Sequence, residues 1–224
     1  MDFEEKILND VKAEYNYYQS IKLLVDKVGV AFEAMPEGLL LEVRAFTGHI
    51  ADAITRKDDT EEDRLANIKS ARHHLRRIEL DCYKALCVYE FLQIKEFEKK
   101  YRFYNLSDVD DGNFVQHLED LKKVAEDANR EAKALDLNGN NTKHSTKSAS
   151  DDKISRQVQE NEFDELYDAY QKAFNAYCKV TNYIEAHRAG ASRIARKNLI
   201  LKIVSVLGWV ISLGVSVAFG VVSC

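Results

Sequence analysis

The densest run of chemistry-bearing side chains in this chain is cationic. Arg64, Lys69, Arg72, His73, His74, Arg76 and Arg77 fall within about four turns of one predicted helix. Arg72 and Arg76 share a face, as do His73 and Arg77, because residues four apart are neighbours on a helix. Guanidinium groups grouped in this way suit phosphate oxygens, which they bind through paired, charge-assisted hydrogen bonds. The candidate ligand-binding set is therefore Arg64, Lys69, Arg72, His73, Arg76 and Arg77. The competing reading is a solvated face balanced by acidic neighbours, and the net charge of −5 argues against a chain that coats nucleic acid generally.

Other groups have plainer explanations. Lys99, Lys100, Tyr101, Arg102, Phe103 and Tyr104 alternate charge and ring in a manner that can hold single-stranded nucleic acid, headgroups or a neighbouring helix. Asp108, Asp110 and Asp111 with Glu119 have a calcium-loop flavour, but the required sixth-position glycine is Asn113, so a helix cap is expected. His187 occupies a predicted seam, where a hydrogen-bonded or solvated imidazole is the default and a pH sensor the sharper reading. Cys82, Cys87, Cys178 and Cys224 have no zinc-ligand spacing and read as reduced thiols. There is no phosphate loop, nucleophile–base pair or catalytic carboxylate pair, so neither enzyme activity nor a cofactor is expected.

The elements that must carry these groups are helices. One proline, nine glycines and 31% charged residues leave few breakers. Helices are expected over Asp2 to Val28 (apolar face Leu8, Val11, Tyr15, Tyr18, Ile21, Val25) and Glu37 to Arg56 (Leu40, Val43, Phe46, Ile50, Ile54). A third runs from Glu61, capped by Asp59 or Thr60, to about Tyr104, with a heptad seam of Ile68, Ala71, Leu75, Ile78, Cys82, Ala85, Tyr89 and Leu92. The fourth covers Phe114 to Leu137 on Phe114, Leu118, Leu121, Ala125, Ala128, Ala132 and Leu135. The fifth starts near Lys153 on Phe163, Leu166, Tyr170, Ala173, Tyr177, Val180, Ile184, His187, Ala191 and Ile194. These spans organise the chain into a helical bundle (1–137), a flexible Asn/Ser/Thr-rich linker (138–152), a coiled-coil-like helix packed on the bundle (153–197) and a final segment (198–224). The third and fifth helices are expected to pair antiparallel.

The final segment carries the strongest class signal. Ile203 to Cys224 has no charged residue and, as a helix, would measure roughly 33 Å against a hydrocarbon core of about 30 Å. Arg188, Arg193, Arg196, Lys197 and Lys202 precede it and no cation follows, which expects a head on the cytoplasmic side and makes the two glycosylation sequons, at Asn105 and Asn140, irrelevant. The expected fold class is thus all-α, an elongated antiparallel helical bundle with a C-terminal single-pass transmembrane helix in contact with membrane lipid.

Polar residues in that segment fall on a line. Asn198, Ser205, Ser212, Ser216 and Ser223 point within about 20° of one direction, and Gly208, Ser212, Ser216 and Gly220 form a small-residue row suited to close helix packing. Either the stripe packs one helix on a twin, or it faces a pore with Asn198 at the mouth and Phe219 as an apolar constriction. A pore would need at least four copies, roughly the smallest ring of single spans that encloses one.

A helical head on a C-terminal span with pore-like packing resembles, in layout over the whole chain, the membrane effector of bacterial Hailong-type anti-phage defence systems. The resemblance implies a homo-oligomeric ion channel in the bacterial inner membrane. Its head would sense a nucleotide or single-stranded DNA oligomer made by a nucleotidyltransferase, with the Arg64–Arg77 cluster as the signal site. The alternative, from another class, is a tail-anchored tether resembling a syntaxin-type SNARE or a membrane scaffold.

Overall fold

Helices begin where the sequence can satisfy their first amides. Thr60 accepts a hydrogen bond from the Asp63 amide at 3.2 Å while its hydroxyl donates to the Asp63 carboxylate at 2.6 Å. Acidic Glu61, Glu62 and Asp63 fill the first turn, where the helix dipole favours negative charge. Pro36, whose fixed φ suits a helix start, opens the preceding helix, and its carbonyl accepts the Leu40 amide.

A computed structural model describes residues 3–56, 59–145 and 152–222, and for 138–145, 152–162 and 208–222 the backbone alone. Five α-helices follow in order: α1 (Phe3–Ala31), α2 (Glu37–Thr55), α3 (Glu61–Tyr101), α4 (Phe114–Ser145) and α5 (Asp152–Val222). A 3₁₀ turn, Asp110–Gly112, lies between α3 and α4. Among the described residues there is no strand, and the fold is all-α. The helical backbone of α4 passes the expected end at Leu137 and continues to Ser145.

The chain divides into two units, Met1–Phe91 with Ala125–Tyr177 and Leu92–Val124 with Cys178–Cys224. In unit 1 the partners along the helices give their directions. Glu4, Glu14 and Tyr17 of α1 meet Arg64, Arg72 and Glu79 of α3, so those two helices run parallel. Glu42 and His49 of α2 meet His74 and Asn67, so α2 runs against α3. Arg76, Glu79 and Tyr83 of α3 meet Asp164, Tyr167 and Gln171 of α5, which overturns the expected antiparallel pairing of α3 and α5. The physical reason is α4, which returns the chain between them: Lys84–Asp136 with Glu98–Lys122, and Tyr170–Asp136 with Tyr177–Asn129, show it running against both.

The core of unit 1 begins with Ile7, Val11, Ala53 and Ile68, with Phe3, Ile50 and Leu65 packed around them. It continues through Ala71, Leu75, Ile78 and Cys82, all fully buried, and through Ala128, Ala132, Tyr170, Ala173 and Tyr177. Glu79 ties three helices together by accepting both the Tyr17 hydroxyl (2.6 Å) and the Tyr167 hydroxyl (2.7 Å). Unit 2 has its own core of Ile94, Phe97, Tyr101, Phe114, Leu118, Val180, Ile184 and Ala191. Rings meet there, Phe114 stacked on Tyr183 and tilted against Phe97.

The expected membrane span is also overturned. Among the described residues no helix is long and apolar enough to cross a membrane. The described side chains from Asn198 to Leu207 include Lys202 and cover roughly 15 Å of helix, about half a hydrocarbon core. The single-pass membrane placement, with a head on the cytoplasmic side, falls with it. Asn198 is half-buried and Ser205 exposed. Gly208, Ser212, Ser216, Phe219, Gly220 and Ser223 lie outside the residues whose side chains are described.

Candidate functional site

The α3 cluster is cationic in sequence, and in the structure most of that charge is engaged. Arg64 is buried; it donates through Nε to the Ala53 carbonyl at 2.8 Å and through its two terminal nitrogens to both Glu4 oxygens, at 2.6 and 3.1 Å. Arg72 pairs with buried Glu14 at 2.5 Å, Arg76 with Asp164, and Arg77 and His74 with Glu42. Arg76 also covers the Phe163 ring. Lys69 and His73 are exposed. Four arginines thus face four helix-borne carboxylates, a pattern that fastens α1, α2 and α5 to α3.

A concave site forms instead elsewhere in unit 1, where α3, α4 and α5 converge. Its walls follow helical spacing. Lys84, Cys87, Val88 and Phe91 come from α3, Glu126, Asn129, Arg130 and Lys133 from α4, and Tyr170 and Tyr177 from α5. The cleft has a volume of about 410 Å³. Its floor is aromatic: Tyr170 and Tyr177 are buried, and Phe91 meets Tyr177 edge-on at 6.3 Å. Asn129 donates to the Tyr177 hydroxyl, and the Cys87 thiol to the Tyr170 carbonyl. Burial, with nearby Asp136, pushes the Tyr170 phenol up to about 12, so this ring stays neutral at ordinary pH.

Three cations stand at the rim in different states. Lys84 is held by Asp136 at 2.8 Å and lies over the Tyr170 ring at 5.2 Å. Arg130 touches Asp127 at 3.0 Å, with both side chains largely exposed, an arrangement that costs little to exchange for another anion. Lys133 is exposed and has no carboxylate within ion-pair distance among the described residues. Glu126 lies two turns before Lys133 on α4, so the positive end of the cleft is the Arg130–Lys133 end.

Unit 2 holds a second, more open cleft of about 400 Å³, lined by Asp110, Asn113, Gln116, His117, Asp120, Tyr183 and His187. It sits on an unusual piece of backbone. Asp110 and Asp111 have φ of 52° and 51°, and Gly112 has 94°, three successive left-handed residues. Asp tolerates that region better than most side chains, and glycine enters it freely. The Tyr183 hydroxyl donates to Asp110 Oδ2 at 2.7 Å, and His187 Nε2 lies 3.4 Å from Asp110 Oδ1. The Tyr183 bond, then the charge of His187, holds the Asp110 carboxyl below the usual carboxylate range, while burial and that carboxylate push the Tyr183 phenol up to about 12. Among the described residues, no group of three or more His, Cys, Asp or Glu is placed to hold a metal ion.

Of the unit 2 cleft the sequence singles out Asp110 and His187, one as part of a cap and the other as a seam imidazole, without joining them, and it marks no residue set for the unit 1 cleft. The i, i+3, i+4, i+7 sets on α3 and α4 were visible as spacing, but nothing in one helix says which face meets which. The Asp-Asp-Gly run carries a turn signal, in keeping with a loop and capping segment over Asp108 to Asn113. No protein-family model matches this chain, and neither a curated protein nor a solved structure matches it.

Proposed function

We propose that this protein is a non-catalytic binding module whose unit 1 cleft takes a phosphate-bearing aromatic ligand of the nucleotide class. The observation that carries the reading is the pairing, in one concavity, of a buried aromatic floor with the exposed cations Arg130 and Lys133. A heterocycle entering the cleft would stack on or edge against Phe91, Tyr170 and Tyr177. Its phosphates would reach the rim, where Arg130 gives up a solvent-exposed contact with Asp127 rather than a buried one. Asn129 supplies a side-chain amide for a polar ring edge. The ligand class is the one expected for a signal-sensing head, moved from the paired arginines of α3 to the rim of α4.

Isothermal titration with ATP, adenosine and pyrophosphate tests this directly. ATP should bind, and each fragment should bind at least about tenfold more weakly, since each loses one half of the contacts. Arg130→Glu with Lys133→Glu should remove ATP binding while leaving the far-ultraviolet circular dichroism unchanged. Absence of ATP binding, or binding indifferent to both substitutions, rejects the cleft as the site.

Self-association is a second reading, favoured by one observation. Leu199, Ile200, Leu201, Ile203, Val204, Val206 and Leu207 of α5 are each more than half exposed and lie on all sides of the helix. An apolar helix surface of this kind requires cover. Light scattering of the full chain should give a mass several times the monomer's 25.6 kDa; a monomer at micromolar concentration removes the reading.

A further inference from the structure

We propose that Asp110, Tyr183 and His187 form a pH-sensitive latch that locks the left-handed turn between α3 and α4 when His187 is charged and loosens it when His187 is neutral. The hydrogens on the imidazole set the sign of its contact with Asp110. His187 Nδ1 lies 2.9 Å from the Tyr183 carbonyl oxygen, which can only accept, so Nδ1 carries a hydrogen. A neutral ring has no second one to give. Its Nε2 would then aim a lone pair at Asp110 Oδ1, 3.4 Å away. With a second proton the same atom donates toward the carboxylate, and the contact changes from repulsive to attractive without movement of any heavy atom.

The surroundings leave the contact sensitive. Four other residues that titrate or carry charge bear on His187 or line its cleft. From the connecting turn there is Asp110. From α5 itself there is Tyr183, whose ring centre is 4.4 Å from the imidazole. From α4 there are His117, set edge-on against Tyr183 at 4.8 Å, and Asp120, which accepts from Gln116. Phe114, fully buried, closes the apolar side at 5.6 Å. Among the described residues lining the cleft, His117 is the one other potential cation; its ring meets Tyr183, and it bears on the Asp110 carboxyl only through space and less than His187 does. Imidazole ordinarily changes charge between about pH 5 and 8, and over that interval the Asp110 carboxyl stays ionised.

What the latch restrains is a segment under conformational tension. Three left-handed residues in a row are held by the Gly112 amide on the Val109 carbonyl (3.2 Å) and the Asn113 amide on the Asp110 carbonyl (2.9 Å). Val109 is buried, and a Cβ at Gly190 would lie 3.5 Å from its side chain, so the turn rests closely on α5. Tyr183 gives Asp110 a bond that does not depend on pH in this range. His187 adds the conditional one.

Hydrogen exchange of the full chain, read by mass spectrometry at pH 5.5 and 8.0 and corrected for intrinsic rates, tests the latch at the Gly112 and Asn113 amides. Protection there should fall roughly tenfold from the lower to the higher pH, the loss expected for one charge-assisted hydrogen bond. His187→Gln, whose amide can donate at either pH, and Asp110→Asn should both make protection independent of pH, while His117→Gln should retain the fall. Equal protection of the parent protein at both pH values overturns the proposal. So does an undiminished fall in His187→Gln, or its disappearance in His117→Gln.

Discussion

Two groups of positive charge in unit 1 behave in opposite ways. On the first half of α3, Arg64, Arg72, Arg76 and Arg77 are dense in sequence and bound to Glu4, Glu14, Asp164 and Glu42. At the cleft, Arg130 and Lys133 are sparse in sequence, three residues apart on α4, and face solvent above a bed of rings. A cation already paired across a helix interface must break that pair to bind a ligand. A cation resting in water exchanges only solvent or a weak surface contact. Local density of Lys and Arg therefore measures potential, and the carboxylates brought up by other helices decide what is left to use.

Removing the positive charge from each group in turn separates the two most clearly. Arg130→Glu with Lys133→Glu should weaken nucleotide binding by about 100-fold or more, the loss of two charge-assisted contacts plus repulsion. Arg72→Gln with Arg76→Gln should change affinity less than about threefold and instead lower the urea midpoint, because buried Glu14 is then left without its partner. The reverse pattern would return the ligand site to α3.

Packing offers a second contrast. Phe114→Ala should cost about 3–5 kcal/mol in urea unfolding, since its ring is fully buried among Phe97, Tyr183 and His187. Phe103→Ala, at a ring 79% exposed, should stay within about 0.5 kcal/mol. Next in size comes α3, where Ile94→Ala should cost about 2–4 kcal/mol and Leu92→Ala less than about 1 kcal/mol. Equal losses at the two positions would restore an unbroken heptad seam.

Alkaline titration should give the smallest effect. Tyr170 and Tyr183 are both pushed from 10.0 to about 12, chiefly by burial, so the folded state favours the neutral phenol. Their contribution is complete below pH 10 and is lost as pH rises toward 12. Tyr170→Phe should flatten that loss by about 1 kcal/mol or less, followed by circular dichroism during base titration. An unchanged alkaline profile would mean that the ring is open to water.

The sequence spoke clearly where one apolar stripe dominated a helix. On α4, Phe114, Leu118, Ala125, Ala128 and Ala132 are buried as expected, and on α5 so are Tyr170, Ala173, Tyr177, Val180, Ile184 and Ala191. On α1, Val11, Ile21 and Val25 are buried as expected, but at two positions the face lies one residue earlier: Leu8 and Tyr15 are exposed, and Ile7 and Glu14 are inside. An aromatic beside a carboxylate looks like the core residue, and here the carboxylate is inside. On α2 the same one-residue offset exchanged Leu40 and Ile54 for Leu39 and Ala53. On α3 the seam holds through Cys82 and then turns to Leu86, Ile94, Phe97 and Tyr101, leaving Leu92 exposed. The helix changes neighbours along its length, and no single-helix period records that. Relative direction was equally hidden, since two helices of similar length pair either way until a third supplies the return. The clefts depend on three registers at once, so their residues became a group only when the helices met.

Glu14 closes the comparison of inner and outer positions from another side. One of its oxygens takes Arg72, and the other has no hydrogen-bond partner although it is buried. Such a residue lowers stability, yet it also forbids misalignment. If α1 slid along α3 by seven residues, this carboxylate would leave Arg72 and take the place of Ile7 or Ile21, both buried apolar positions. A purely oily stripe accepts several offsets; a lone acid within it acts as the key that admits one.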